Sequence, residues 1–383
     1  MKKIAFIALT VILLTAILLT AGMLVSCGDG AGGGPGGDGG DPLPWDGTVD
    51  TGWFYANPAA ASFNISTPAQ LAGLAKLVND NVTGFYNKTI TQTADLDLAG
   101  LQWTPIGGTG THYFSGTYDG NGKTISGLKI NIADYYQGLF GMAGSSSTIK
   151  NVKLLDVSIT VTGSAIMYTG AVAGFSNGKV TDCVATGSVS GNTRVGGVVG
   201  TTIATDATVS GCSFSGSVKG GSYIGGLAGD NRGSVTNCYA AADVEATLAT
   251  GVAGGIVGNQ GYVSGSVQYC YATGSVQGYT AGGIVGTNTG SVMNSAALNT
   301  GVTGTNARRI TDGGTLANNY GRSDMPGTWN QKGLNANDGA DVSTGAPNGG
   351  YNNKGFWEGL GWNFTTIWKM SNGNNTGSLP ILQ

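Results

Sequence analysis

The stretch Ala281-Gly-Gly-Ile-Val-Gly286 recurs along the chain with small variations. The other copies, in chain order, end at Gly141, Gly174, Gly200, Gly229 and Gly258. Successive closing glycines are therefore separated by 33, 26, 29, 29 and 28 residues. Self-similarity at a period of about 20 to 50 residues is the sequence signature of a protein built from stacked repeats.

A second landmark follows each of the last five copies and predicts a bend between two strands. It consists of a Val, two variable residues and a Cys, which is replaced by Ser in the final copy. The landmark ends at Cys183, Cys212, Cys238, Cys270 and Ser295. Residues three apart on a strand point to opposite faces, so Val and Cys can both face inward only if the backbone bends between them. We expect that corner at the variable Asp, Gly, Asn or Tyr positions.

Short strands, corners at Gly and Asn, and one repeat per coil predict an all-β fold, a parallel β-helix or β-solenoid. Neighbouring coils would stack identical residues about 4.8 Å apart and bury apolar faces that no single repeat could bury alone. We place six repeats, beginning at residue 138, within a solenoid over 101–306. Residues 307–353 lose the period and are expected to form an irregular excursion. Aromatic residues concentrate in 354–383, which predicts an aromatic-rich C-terminal cap.

Residues 51–100 are expected to hold an N-terminal cap and the first strands. Thr67-Pro-Ala-Gln70 has the pattern of a helix capping box with Pro at the first helical position. Apolar residues at helical spacing follow it and predict an amphipathic helix over 68–79. The first coil of a solenoid exposes unpaired strand edges and an open core. This helix is therefore predicted to cap the solenoid.

The first 26 residues have the layout of a lipoprotein signal peptide. Two lysines precede an apolar run over 4–19, and small residues follow it, which is typical of a secretory signal. Leu24-Val-Ser-Cys27 resembles the lipobox of bacterial lipoproteins, and this resemblance implies cleavage before Cys27 and acylation of that residue. An uncleaved transmembrane anchor is the alternative, because 4–25 is long enough to span a bilayer. Residues 27–50, mostly Gly, Asp and Pro, are expected to form a flexible tether.

The composition excludes several classes of protein. Gly accounts for 70 of 383 residues but does not recur at every third position, which excludes collagen. Charged residues make up only 10% of the chain, against about 25% in a typical soluble domain. With a formal net charge of −3 and no stripe of Lys and Arg, the chain is not expected to bind nucleic acid.

Few residues could support catalysis or hold a metal ion. His112 is the one histidine, so a histidine-rich metal site is excluded, and no Gly-x-Ser-x-Gly elbow accompanies it. The acidic residues of the repeats do not fall into one column, so we predict no catalytic residue, no metal and no cofactor. The four repeat cysteines are expected to be buried free thiols, because parallel side chains in a column give poor disulfide geometry. Disulfides remain the alternative for an even cysteine count in a secreted protein.

A partly aromatic stripe is the strongest candidate binding surface in the sequence. Tyr168, Arg194 and Tyr223 stand at equivalent positions before the Gly-Gly pair, and Tyr279 lies beside the equivalent Thr280. Stacked coils would align these side chains. Tyrosine offers a flat apolar ring and a hydroxyl group, which suit glycans and protein partners. In the alternative interpretation, the stripe only shields the corner.

The repeat as a whole resembles a known family. Gly-Gly-Ile-Val-Gly followed by Gly-Ser-Val-x-Asn/Tyr-Cys-Tyr-Ala-x-Gly-x-Val is similar to the GLUG-motif repeat of bacterial surface proteins, over about 138–306. Ala171 and Ser295 depart from the pattern and suggest degenerate end coils. The resemblance implies an adhesin-like surface lipoprotein.

These observations predict a non-catalytic cell-surface lipoprotein for adhesion or for binding a glycan or a host or neighbouring surface protein. It would contact the membrane through its lipid anchor and act as a monomer. By the lipobox resemblance, Gly28 after the Cys favours the outer membrane of a bacterium. A polysaccharide lyase or hydrolase on a parallel β-helix and a structural envelope protein are the alternative functions.

Overall fold

The computed structural model describes residues 43–108, 110–163, 167–345 and 347–383. The predicted signal peptide, Cys27 and most of the predicted tether lie outside these ranges. The described residues form a parallel β-solenoid, as predicted. The helices are α1 (Gly52–Tyr55), α2 (Pro68–Asn79), a 3-10 helix (Pro347–Asn352) and α3 (Lys354–Gly359). Within the described ranges, no helix is long and apolar enough to cross a membrane.

Four parallel sheets form the walls of the solenoid, and a complete coil passes through them in the order 1, 2, 3, 4. Sheet 1 has 10 strands, Ser62–Ile65, Thr89–Gln92, Thr117–Asp119, Thr148–Lys150, Lys179–Thr181, Thr208–Ser210, Ser234–Thr236, Ser266–Gln268, Ser291–Met293 and Thr315–Ala317. Sheet 2 has 13 strands, Leu96–Asp97, Thr124–Ser126, Lys129–Ile132, Lys153–Val161, Val184–Ser190, Ser213–Gly220, Tyr239–Ala246, Tyr271–Ala272, Val276–Gln277, Ala296–Ala297, Val302–Thr303, Tyr320–Arg322 and Ala340–Val342.

Sheets 3 and 4 are shorter because they begin only in the coil that contains residue 136. Sheet 3 has 7 strands, Tyr136–Gln137, Tyr168–Gly170, Arg194–Gly196, Tyr223–Gly225, Val252–Gly254, Thr280–Gly282 and Asn306–Arg308. Sheet 4 has 6 strands, Phe140–Ala143, Ala173–Ser176, Val199–Thr202, Ala228–Asn231, Val257–Gln260 and Val285–Asn288. A separate antiparallel pair, Trp368–Met370 and Pro380–Leu382, lies in the C-terminal segment.

Equivalent residues stack from coil to coil, as the period predicts. In sheet 1, Val180 pairs with Val209 and Val209 pairs with Val235, and all three are fully buried. The residue before each Cys, or before its Ser counterpart, has a left-handed backbone: the φ angles are 53° at Asp182, 62° at Gly211, 53° at Asn237, 53° at Tyr269 and 52° at Asn294. This turn is the predicted corner, and it allows both the Val and the Cys to face the core.

The cysteines after these corners form one column, which we call the cysteine column: Cys183, Cys212, Cys238 and Cys270. All four are free and fully buried. The amide of Cys212 donates a hydrogen bond to Sγ of Cys238 at 3.3 Å, and each thiol donates to the carbonyl two residues before it. Burial raises the pKa of the Cys183 and Cys238 thiols. The column therefore consists of small, buried free thiols that pack in the core, as predicted.

The Gly-Gly pairs lie where sheet 3 turns into sheet 4, and we call this edge of the solenoid the glycine corner. A Cβ atom added at Gly255 would lie 2.0 Å from the carbonyl oxygen of Gly283 in the next coil, and one at Gly226 would lie 2.1 Å from that of Gly255. At Gly226 and Gly255 the carbonyl of the next coil therefore occupies the space of a side chain. The two coils that begin the series have Leu139 and Ala171 at the equivalent position.

The coil that holds the last strand of sheet 3, Asn306–Arg308, replaces this glycine pair with Arg308-Arg309. Arg308 pairs in register with Gly282. Arg309 is fully buried, and its guanidinium donates to the carbonyl oxygens of Gly321, Arg322, Asp338 and Gly339 and to the carboxylate of Asp341. This side chain satisfies backbone acceptors that a following coil would otherwise satisfy.

At the other end, α2 occupies the first coil, with the bounds that the sequence predicts. The Thr67 hydroxyl accepts from the amide of Gln70 at 3.2 Å, and the Gln70 side chain accepts from the amide of Ser66 at 2.8 Å. Leu71 and Leu74 are fully buried in the main core. The helix therefore covers the open core of the first coil, as expected for an N-terminal cap.

The structure after residue 306 differs from the expected irregular excursion over 307–353. Thr315–Ala317 pairs in register with sheet 1, and Tyr320–Arg322 and Ala340–Val342 extend sheet 2. The solenoid thus continues through a shortened coil, because its strands keep the stacking although the glycine landmark is lost.

The aromatic-rich C-terminal segment packs against the outer face of sheet 2. Trp357, Trp362 and Trp368 are buried together with Tyr271, separately from the main core. The Tyr271 hydroxyl donates to the Pro380 carbonyl at 2.7 Å. The predicted aromatic cap is therefore present, and it covers the flank of the later coils.

Candidate functional site: an aromatic groove beside the glycine corner

The predicted stripe is a real ladder, but Tyr279 does not belong to it. Tyr168 pairs with Arg194 and Arg194 pairs with Tyr223 along sheet 3, and Tyr136 precedes them in the same register. The ladder continues through Val252 to Thr280. Tyr279, one residue earlier, is 43% exposed and lines a separate depression with Leu248. We call the aligned residues Tyr136, Tyr168, Arg194 and Tyr223 the tyrosine–arginine ladder.

The side chains of the tyrosine–arginine ladder mainly bind one another. The rings of Tyr136 and Tyr168 stack with centroids 5.2 Å apart and planes 4° apart. The Arg194 guanidinium lies over Tyr168 on one side, at 5.4 Å, and over Tyr223 on the other, at 5.7 Å. The faces of these rings, which were the predicted ligand-binding surface, are thus largely covered by neighbouring side chains of the ladder. Partial burial and the neighbouring Tyr168 raise the pKa of Tyr136.

Arg194 is also neutralised by an acid of the next coil. Its Nε lies 3.0 Å from Oδ2 of Asp230, whose side chain is only 2% exposed. The other carboxylate oxygen of Asp230 accepts from Nδ2 of Asn259 at 2.8 Å. A guanidinium that is already paired with a carboxylate and stacked between two rings is poorly suited to hold an external anion.

An open groove adjoins the ladder on its N-terminal side. Phe175 makes edge-to-face contacts with Tyr136 and Tyr168, both at 6.0 Å between centroids, and it also lines this groove. The groove has a volume of about 580 Å³. Tyr86 and Tyr113, on two loops of the first coils, complete its aromatic lining and are 63% and 50% exposed. We call this cavity the aromatic groove.

The fold directs both tyrosines outward by burying the neighbouring phenylalanine. Phe85, next to Tyr86, has a left-handed backbone with φ of 60° and is fully buried in the core. Phe114, next to Tyr113, is also fully buried. The Tyr113 ring lies over Gly144, where an added Cβ would come within 2.8 Å of it. The buried phenylalanines therefore leave the neighbouring tyrosines at the surface, and the Tyr113 ring is held against Gly144 of the next coil.

The lining of the aromatic groove combines apolar surface with uncharged polar groups. Its ten residues are Tyr86, Tyr113, Ser115, Met142, Ala143, Gly144, Ser145, Ser146, Phe175 and Asn177. None of them is acidic or basic. Ser145 and Ser146 are exposed at the rim. An uncharged ligand with both apolar faces and hydroxyl groups matches this surface.

The acids most relevant to catalysis hold local structure and do not converge. Asp95 accepts from the amide of Thr124 at 2.7 Å, and Asp97 accepts from that of Ala99 at 2.8 Å. Asp119 pairs with Lys150 at 3.0 Å. In the described part of the chain, no group of three or more His, Cys, Asp and Glu residues could hold a metal ion.

Two of the remaining acids stand where the backbone departs from regular strand geometry: Asp156 at a register shift within the strand Lys153–Val161, and Asp182 at the corner before Cys183. Asp156 and Asp182 have left-handed backbones with φ of 56° and 53°. Burial and the nearby Cys212 raise the pKa of Asp182. Nδ1 of His112 donates to the carbonyl of Asn79 at 2.9 Å, which ties the loop to the end of α2.

Sequence reasoning missed the aromatic groove because its two exposed tyrosines lie before the regular repeats, which begin at residue 138. Tyr86 and Tyr113 are in the non-repeating first coils, where no period marks equivalent positions. The position of Tyr136 in the ladder could have been predicted from the sequence, because Tyr136 stands two residues before Gly138 just as Tyr168 stands two residues before Gly170. The pairs Phe85-Tyr86 and Tyr113-Phe114 were the other usable signal, since one member of each is expected inside and the other outside.

Comparisons with known proteins identify the repeat and the fold. Residues 220–245 match the family described as the GLUG motif. Halomucin of Haloquadratum walsbyi is 39% identical over 225 residues, which is 56% of this chain and 2% of halomucin. A protein of Evansella cellulosilytica described as a candidate Gly-rich membrane protein is 34% identical over 117 residues, 30% of this chain and 13% of that protein. The chain thus spans a small fraction of each relative.

A similar architecture occurs in a solved structure. A candidate immunoglobulin A1 protease from Bacteroides ovatus matches with a TM-score of 0.56 and 21% sequence identity, over 84% of this chain and 92% of that chain. At this identity the likeness concerns the fold alone, a β-helix of comparable extent.

Proposed function

We propose that this chain is a non-catalytic surface protein whose aromatic groove binds neutral glycans. The observation that carries the proposal is the groove itself. Its volume of about 580 Å³ lies within the range of about 300 to 1,000 Å³ that is usual for ligand sites. Exposed Tyr86 and Tyr113 provide aromatic faces, and no charged side chain lines it.

The chemistry of a pyranose fits this lining. A sugar ring has apolar C–H faces that pack on aromatic rings and hydroxyl groups along its edges. Tyr86, Tyr113 and Phe175 supply the rings, while Ser145 and Ser146 supply hydrogen-bonding groups at the rim. A charged ligand would have to leave water without an opposite charge to compensate for the loss of hydration.

The composition of the groove also favours binding over cleavage. Glycoside hydrolysis ordinarily uses two carboxyl groups about 5 to 9.5 Å apart, on either side of the scissile bond. The groove has no Asp or Glu in its lining. A polysaccharide lyase or hydrolase remains the competing function, and it predicts release of new reducing or unsaturated ends.

We further propose that the protein is attached to the cell envelope through Cys27. The lipobox-like Leu24-Val-Ser-Cys27 and the Gly/Asp-rich segment over 27–50 support this anchor. The names of two relatives, halomucin and a Gly-rich membrane protein, agree with a location at the cell surface. Metabolic labelling with palmitate should mark the wild-type protein and not Cys27→Ala, and equal labelling of both would refute the anchor.

A glycan array tests the binding function. Wild-type protein should bind a subset of neutral oligosaccharides, and Tyr86→Ala/Tyr113→Ala should weaken that binding at least tenfold, or about 1.4 kcal/mol. Tyr262→Ala, which removes a tyrosine that is 43% exposed outside the groove, is the matched control and should bind like wild type.

The competing functions give different results in the same experiment. Wild-type affinity in the double variant would refute the groove as the binding site. Shortened products on the array, detected by mass spectrometry, would show that the protein cleaves glycans. No binding to any glycan would favour a structural envelope protein.

A further inference from the structure

The last coil carries a cation whose role the solenoid does not explain. Arg308 occupies the first position of the glycine corner and pairs in register with Gly282. This position is a glycine in every earlier coil from residue 170 onward. Its neighbour Arg309 is fully buried and donates to four carbonyl groups. Arg308, by contrast, is partly exposed and takes part in no ion pair among the described residues. Arg309 thus satisfies buried backbone acceptors, whereas Arg308 is accessible at the surface.

Arg308 lines a second cavity, of about 500 Å³, at the end of the solenoid. One wall is the segment over 302–305, which begins with the strand Val302–Thr303, together with Ala307 and Arg308; the other is the segment over 326–329. We call this cavity the terminal groove. It is distinct from the aromatic groove, since the two share no lining residue.

An indole ring forms part of the second wall in a fixed position. Nε1 of Trp329 donates to the carbonyl of Met325 at 2.9 Å, and the ring packs against the main core. Gly327 has φ of 132°, and a Cβ added there would lie 2.6 Å from the indole. Glycine at this position therefore allows the ring to lie beside the cavity.

The terminal groove has one charge, and that charge is positive. Its lining residues are Val302, Thr303, Gly304, Thr305, Ala307, Arg308, Pro326, Gly327, Thr328 and Trp329. Burial raises the pKa of Asp312, and the positive charge of the nearby Arg308 offsets only part of this increase. The Asp312 carboxylate accepts from the amide of Asn288 at 3.0 Å and forms no ion pair with Arg308 among the described residues.

The geometry points to a carboxylated sugar as the ligand of the terminal groove, and we propose that it binds a uronic acid residue of an acidic glycan. The Arg308 guanidinium binds the carboxylate, because its planar fork matches two carboxylate oxygens. The Trp329 indole packs on the pyranose ring, and the hydroxyls of Thr303, Thr305 and Thr328 face its hydroxyl groups. The proposal is independent of the aromatic groove and adds a second, anionic specificity.

Isothermal titration of the full chain with trigalacturonate, and with its methyl ester as the matched neutral probe, tests this assignment. Wild-type protein should bind the acid at least tenfold more tightly than the ester. Arg308→Gln should abolish that preference, and Trp329→Ala should weaken binding of both probes at this site. Lys179→Gln, which removes an exposed cation elsewhere, should leave the preference intact. Circular dichroism of each variant confirms that it is folded.

Three results would overturn the assignment. These are equal affinity for acid and ester in wild-type protein, an unchanged preference in folded Arg308→Gln, and no binding of trigalacturonate at all. Tyr86→Ala/Tyr113→Ala should retain the preference for the acid, so failure of the aromatic groove and failure of the terminal groove are separate outcomes. Raising the salt concentration should weaken binding of the acid and leave that of the ester unchanged.

Discussion

A methyl group added at Gly255 perturbs the glycine corner at one defined point. In Gly255→Ala the new Cβ would lie 2.0 Å from the carbonyl oxygen of Gly283, against an ordinary contact distance of at least 3.4 Å. The next coil would have to move by roughly 1.4 Å, and its carbonyl cannot rotate away because it belongs to the backbone. Overpacking alone costs about 1 to 3 kcal/mol, and a weakened backbone hydrogen bond adds about 1 kcal/mol. We expect a loss of roughly 2 to 4 kcal/mol of unfolding free energy.

Urea unfolding followed by far-ultraviolet circular dichroism measures this loss. Gly301→Ala is the matched control in the same solenoid, because an added Cβ there meets no atom within 4 Å and the backbone is not left-handed. The control should lie within about 0.5 kcal/mol of wild type. If both variants unfold at the same urea concentration, the coils do not stack through the glycine corner as described.

Three further predictions concern charge, pH and thiol chemistry. Asp230→Asn should lower the unfolding free energy measured in urea by about 3 kcal/mol, because it leaves Arg194 without its buried partner. The control Asp324→Asn, which changes a side chain that is 71% exposed, should cost less than about 1 kcal/mol. Equal losses in the two variants would contradict the assigned burial. Burial raises the pKa of Asp119, but its hydrogen bonds and a neighbouring lysine outweigh burial and lower it overall. The stabilisation from ionised Asp119 is therefore complete above the unfolded pKa and is lost as pH falls through the folded pKa. The stability advantage of wild type over Asp119→Asn should shrink as pH falls below about 4 and should stay constant at higher pH. In Cys27→Ala, a thiol reagent should modify the cysteine column no faster than the protein unfolds, and rapid labelling of the native protein would be inconsistent with a buried column.

The repeating part of the fold could be predicted from the sequence because stacking forces equivalent residues into equivalent places. The opposite parity of Val180 and Cys183 required a bend, and the left-handed backbone of Asp182 provides it. The capping box at Thr67 defined α2 to the residue because Pro and the cap fix its start. In both cases local chemistry and the repeat agree.

The sites were harder to predict because they depend on side-chain packing and on non-repeating loops. The period aligned Tyr168, Arg194 and Tyr223, but it could not show that their ring and guanidinium faces would cover one another. Tyr279 was included on proximity in sequence, although register places Thr280 in the ladder. Arg308 could have been found by aligning Ala307-Arg-Arg-Ile310 with Ala281-Gly-Gly-Ile284.

A crystal structure of the protein soaked with its tightest-binding neutral oligosaccharide tests the central functional claim most directly. We predict a pyranose ring in the aromatic groove, with its C–H face in contact with Tyr113 or Tyr86 and its hydroxyls near Ser145 or Ser146. A sugar bound at another surface, with the aromatic groove empty, would contradict the proposed function.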